Sequence, residues 1–197
     1  MVFGWFKKER RPGPHTPALV DPAVQATVQW VAEVIGDHTE FQRRAQTAAS
    51  TFDEARIPEL PHYFHGDSMP PSELADRFPG LGQWMAVRQL AIFEILYFIG
   101  SPALPLLKRV AHGAYDWTQD NAIEVLCRLA AYDVERETTI QDLRMLIPKL
   151  RYEAVIYAAE PLVQQARSDT AIAAIIQDLL TVPEFAEVHA EIVQSAM

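Results

Sequence analysis

An alanine recurs along this chain at Ala91, Ala122, Ala154 and Ala186, at intervals of 31, 32 and 32 residues, each time inside an apolar stretch. In the first three copies a long polar side chain stands three positions earlier, at Arg88, Gln119 and Arg151. A period in the low thirties fits one pair of antiparallel helices. Such a unit cannot bury its apolar face alone, so neighbouring units must stack. A small residue at the repeated position lets helices approach closely. The pattern predicts an all-α chain wound as a right-handed α-α superhelix, a solenoid of about five helical hairpins. A fold of this kind offers a curved surface without specifying what it holds.

Local signals place the helices. Asp21-Pro22 opens the first, because aspartate caps exposed N–H groups and proline suits the first turn. Val24, Val28, Val31 and Ile35 follow at helical spacing, and Gly36 ends the segment. A second helix is expected over about 39–56. Residues 57–83 then break the rhythm with five prolines and three glycines, around a short helix expected over 72–78. From Trp84 the rhythm returns, with helices expected over 87–99, 101–111, 118–131, 134–147, 149–160, 170–182 and 184–195. Pro161 is expected to disturb the end of the fifth of these. The tally is ten helices in five hairpins. The domain reading is a flexible N-terminal tail over 1–20 and a single helical-repeat domain over 21–197, with an irregular insertion at 57–83. The aromatics of that insertion, Tyr63, Phe64 and Phe78, argue that much of it packs down.

Charge narrows the partners. Residues 1–11 hold Lys7, Lys8, Arg10 and Arg11 against Glu9, a net of +3, which leaves −12 for the rest of a chain whose total is −9. Beyond Arg167 no Lys or Arg occurs, while Asp169, Asp178, Glu184, Glu187 and Glu191 follow. An acidic body repels phosphates, so nucleic acid is disfavoured and a basic partner is favoured. Apolar runs such as 90–99 are too short and interrupted to span a bilayer. No hydrophobic signal segment follows the N-terminal cations. The single cysteine, Cys127, excludes an internal disulfide and offers no metal-site spacing; it is expected to be packed and inert. A cytoplasmic protein without a cofactor is the expectation. Phe3, Trp5 and Phe6 beside the basic cluster are the elements of a weak peripheral membrane contact, to be weighed against a tail packed on itself.

The segment Val87-Arg88-Gln89-Leu90-Ala91, running to Ile99-Gly100 and continuing as Pro102-Ala103-Leu104-Pro105-Leu106-Leu107, resembles a HEAT-type (armadillo-like) repeat. In that family a Val-Arg-x-x-Ala core opens the second helix, and a glycine followed by Pro-Ala-Leu-x-x-Leu begins the next unit. The copy at 118–122 lacks the arginine, the copy at 150–154 restores it as Arg151, and the copy at 182–186 has Pro183 in its place, as suits a terminal cap. The resemblance covers about 84–197, and less closely 21–56. It implies architecture and little about activity.

Candidate sites follow. His62, His65 and Asp67 combine imidazoles with a carboxylate, which suits a metal such as zinc or iron, but HxxH without a helix or further ligands also reads as ordinary loop chemistry. Glu94 is the lone acid in an apolar helix core and must be paired, protonated or turned to a pocket. It is the one candidate for acid–base catalysis, against a structural ion pair with Arg88 or Arg128. Arg88, Gln119 and Arg151 are a ladder that either binds an acidic group of a partner or ties adjacent repeats together. Trp84, Tyr63 and Phe64 join them as candidate partner-binding residues. No phosphate loop, nucleophile elbow or HExxH motif is present.

The favoured function is a non-catalytic interaction module whose concave face binds a protein or peptide, in particular a basic one. The alternative is an enzyme or small-ligand-binding protein that uses a groove beside residues 57–83. HEAT-like DNA glycosylases show that the resembled architecture can support catalysis, but they rely on a basic groove, which this acidic body does not suggest.

Overall fold

Asp21 accepts a hydrogen bond from the backbone N–H of Ala23 at 2.7 Å, and Pro22 fills the first turn of helix α1 (Pro22–Ala32). The structure, a computed structural model, describes residues 21–65, 69–80 and 82–195. The expected tail over 1–20, including Phe3, Trp5 and Phe6, lies outside those residues. Helix α2 (His38–Thr51) is capped by Asp37, which accepts from the N–H of Glu40 at 3.0 Å. It stops short of the expected residue 56 because Phe52 is extended and Asp53 caps a new 3-10 segment, Glu54–Tyr63. Pro58 and Pro61 in that segment cannot donate to an α-helical ladder.

The helix expected over 72–78 is a single 3-10 turn, Ser72–Leu74. Helix α3 (Gln83–Ile99) starts four residues earlier than expected, at Gln83 after the N-cap Gly82, and is closed by Gly100. Both glycines have positive φ, 80° and 78°, which other residues adopt only under strain. After another 3-10 turn come α4 (Leu104–Ala111) and α5 (Trp117–Ala131), the latter capped by Asp116. Then follow α6 (Arg136–Leu146), α7 (Tyr152–Gln165), α8 (Thr170–Leu179) and α9 (Pro183–Ser195). Helix α7 runs through Pro161 rather than ending there. The described residues thus form nine α-helices and no strand. None of these helices is long and apolar enough to cross a membrane.

The packing is sequential. Helix α3 contacts α1 and α5, α5 contacts α7, and α7 contacts α9. Helix α2 lies against α1 and α3, α4 and α6 lie against α5, and α8 packs on α5, α6 and α7. Ala91, Ala122 and Ala154 have no exposed surface, so the repeated small residue lies where helices meet closely. Ala186 in the last helix is half-buried, consistent with a helix that has no successor among the described residues.

The first half of the irregular segment is tied to this body. Phe64 stacks on Phe93 of α3 with ring centres 5.2 Å apart. The side-chain amide of Gln89 donates to the Phe64 carbonyl at 2.9 Å, and the Tyr63 hydroxyl accepts from the backbone N–H of Asp21 at 2.9 Å. Further along, Phe78 meets Trp84 at 5.4 Å. The aromatics of the segment are therefore core.

Candidate functional site

Several residues expected to meet a partner are interior. Trp84, Tyr63 and Phe64 are buried, and so are Arg88 and Gln119. Gln119 donates to the carbonyls of Ala111 at 2.8 Å and Gly113 at 3.2 Å, closing the α4–α5 connection. A residue three places before a buried alanine shares its helix face, which is why these two point inward. Arg151 differs because it is the N-cap of α7, outside the helix proper; it is exposed and lies over the Tyr115 ring at 5.2 Å. The three do not form one exposed ladder.

His62 and His65 are exposed, and the Nε2 of His65 lies 3.6 Å from Asp116. Asp67 lies outside the described residues, which hold no group of three or more metal-ligating side chains. Cys127 is fully buried, and that burial pushes its thiol pKa up.

Glu94 is paired. Arg128, one repeat further on, donates to Oε2 at 2.7 Å and to Oε1 at 2.9 Å, a two-pronged bond across α3 and α5. Glu124 approaches the same guanidinium at 3.6 Å and accepts from Gln165 of α7 at 3.3 Å. The guanidinium carbon also lies 3.9 Å from the centre of the Tyr97 ring. Burial lowers the pKa of Arg128, but the bonds and charges of the two glutamates outweigh it and the net shift is upward. Burial raises the Glu124 pKa. Both Glu94 oxygens are committed to the arginine, which is the arrangement of a structural pair rather than of a proton-transfer group.

This network forms the floor of a cleft of about 480 Å³ across α3, α5 and α7. Helix α3 contributes Leu90, Glu94 and Tyr97, and α5 contributes Asp120, Asn121, Glu124 and Arg128. Helix α7 contributes Tyr157, Pro161 and Gln165, while His38 and Phe41 of α2 close one side and Asp169 another. Four carboxylates and one guanidinium thus line the cleft. Asp169 is already occupied: it caps α8 and accepts the Tyr132 hydroxyl, whose pKa that bond raises to about 12.

Asp120 is not occupied in this way. Its Oδ1 is buried and accepts no hydrogen bond. Burial lifts its pKa to about 6, against the N–H groups of the first turn, which lower it, and with a further upward push from Asp116. No cation contributes to this shift. At the rim beside it, Trp117 and Tyr157 pair with ring centres 5.1 Å apart, and both remain exposed, at 58% and 42%.

The α5 residues of the site had a readable signal: Trp117, Asp120, Glu124 and Arg128 recur every three or four positions and so line one helix face. What the sequence alone does not reveal is that this polar stripe lies on the central helix of the stack. Comparisons with protein-family models, with curated proteins and with solved structures find no match to the chain.

Proposed function

We propose that this chain is a HEAT-like helical-repeat interaction module, a short right-handed solenoid that binds a basic protein or peptide segment in the cleft across α3, α5 and α7. The observation that carries this reading is the charge of the cleft: Glu94, Asp120, Glu124 and Asp169 against Arg128 alone. An open groove with an acidic floor and an aromatic rim suits an extended cationic chain, which such a floor attracts over long range. The sequential helix contacts and the buried Ala91, Ala122 and Ala154 support the solenoid. The acidic residues beyond Arg167 add to the same field.

Titration of the full chain with a fluorescent, arginine- and lysine-rich peptide tests the reading. Binding should weaken steadily as salt is raised from 0.05 to 0.3 M, because screening shortens the reach of the cleft's field. A neutral peptide of the same length should not bind. Binding of the basic peptide that ignores salt, or equal binding of both peptides, removes the electrostatic basis of the proposal.

A further inference from the structure

We propose that the cleft contains a specific anchor for one arginine side chain, built from the Asp120 carboxylate, the main-chain carbonyl of Tyr157 and the exposed rings of Trp117 and Tyr157. The inference rests on the reading of the cleft as the site for a basic segment and names the group that the site grips.

Three observations converge on it. The first is the Asp120 carboxylate, which lines the cleft with a buried Oδ1 that accepts no hydrogen bond. That oxygen is closed to water and cannot itself meet a ligand; the half-buried residue meets a guanidinium in the cleft with the rest of its carboxylate, and the guanidinium supplies the compensating charge. The other acids on the floor are already used. Glu94 and Glu124 share Arg128, and Asp169 holds the α8 N-terminus and Tyr132.

The second is Pro161 within α7. Proline has no N–H, so the carbonyl four residues earlier, that of Tyr157, loses its helical donor. Tyr157 and Pro161 both line the cleft, which places this acceptor on the same side as Asp120. Proline in a helix interior is unfavourable, and here it leaves an acceptor where a donor-rich ligand would lie.

The third is the Trp117–Tyr157 pair. Trp117 stands three residues before Asp120 on α5, on the same face, and its ring is more than half exposed. Arg128 over Tyr97 shows the same contact already made inside this cleft. Arginine fits better than lysine because its planar guanidinium stacks on an indole while its remaining N–H groups reach a carboxylate and a carbonyl together.

The test uses the full chain and a glycine–serine peptide carrying a single arginine between two lysines, followed by fluorescence anisotropy at 0.05 M salt. Asp120→Asn should weaken binding at least tenfold and Trp117→Ala by about three- to tenfold. Glu187→Gln, the same charge change on an exposed residue of α9, should stay within twofold of wild type. Replacing the arginine by lysine should weaken binding to wild type and make little difference to Asp120→Asn. If wild type binds but Asp120→Asn and Glu187→Gln weaken binding alike, the anchor is wrong and the general reading stands. If wild type binds no cationic peptide, the reading of the cleft itself falls. A melting curve for each variant separates lost binding from lost fold.

Discussion

Replacing Asp120 with asparagine should make the protein more stable at neutral and alkaline pH. Folded Asp120 titrates near 6, against 3.8 for a free aspartate, so the native state keeps a proton that the unfolded chain releases between those values. The stability contributed by this group is therefore complete below about pH 3.8 and is lost as pH rises to about 6. Two pK units correspond to about 3 kcal/mol. The carboxylate lines an open cleft, and solvent screening brings the expected figure down to about 1–2 kcal/mol. The other titratable groups of the cleft do not reverse the sign. Glu94 and Glu124 are acids, Asp116 raises the pKa further, Arg128 is held by the two glutamates, and His38 and Tyr157 sit on other helices. Asparagine keeps the shape and removes the charge. Urea unfolding at pH 8 should show the variant ahead by about 1–2 kcal/mol, with about a third of that difference left at pH 4.5. A variant no more stable than wild type at pH 8, or one that gains as much at pH 4.5, refutes the argument that burial of an unpaired charge sets this pKa.

Arg128→Met leaves Glu94 and Glu124 facing each other without a cation, and should destabilise the fold by about 3–5 kcal/mol in urea unfolding. Adding Glu94→Gln to it should restore at least half of that loss; a single variant within about 1 kcal/mol of wild type would show that the pair is solvated. Ala122→Leu forces a side chain into a closed helix contact and should lower stability by about 1–3 kcal/mol, while Ala186→Leu on the half-buried last copy should change it by less than about 0.5 kcal/mol. Equal effects at the two alanines would contradict the assignment of the repeat to helix contacts. Cys127 should not react with a thiol reagent in the native protein and should react fully in urea, since burial both shields the sulfur and raises its pKa. Rapid native labelling would mean that the α5 region opens.

The helices were legible because their ends are marked by residues with one physical job each. Asp21 caps, Pro22 fills a first turn, and Gly100 takes the positive φ that ends α3. A backbone rule alone does not set the end of α7. Pro161 is expected to disturb the end of a helix over 149–160, yet α7 continues to Gln165, since a proline removes one hydrogen bond and packing on α5 and α9 holds the rest. Arg88 and Gln119 read either as part of a ladder for a partner or as ties between repeats, and their spacing from a buried alanine places them on the inner face. Glu94 was legible as a charge needing a partner, and Arg128 was one of the two arginines the sequence offered. Asp120 is legible only as a member of the polar face of α5, not as a buried acid. In the run Thr118-Gln119-Asp120-Asn121 it reads as one more polar residue in a first helical turn, and only the fold shows that it is half-buried with no cation beside it.

Three features that run against stability meet in the cleft. An unpaired carboxylate oxygen, a proline inside a helix and two glutamates on one arginine all line the same cleft. Other departures lie outside it: the Thr139 hydroxyl on α6 is buried without a partner, and Asp133 and Glu135 have positive φ, while α3 and α5 bury apolar side chains along most of their length. A local conflict with folding rules that is retained needs a use, and at Asp120 that use can be tested. The binding and stability tests on Asp120 are therefore two halves of one argument. If asparagine there strengthened the fold and left cation binding intact, the cleft would hold a defect without a use; a stronger fold that no longer grips arginine is the outcome that makes the acid functional.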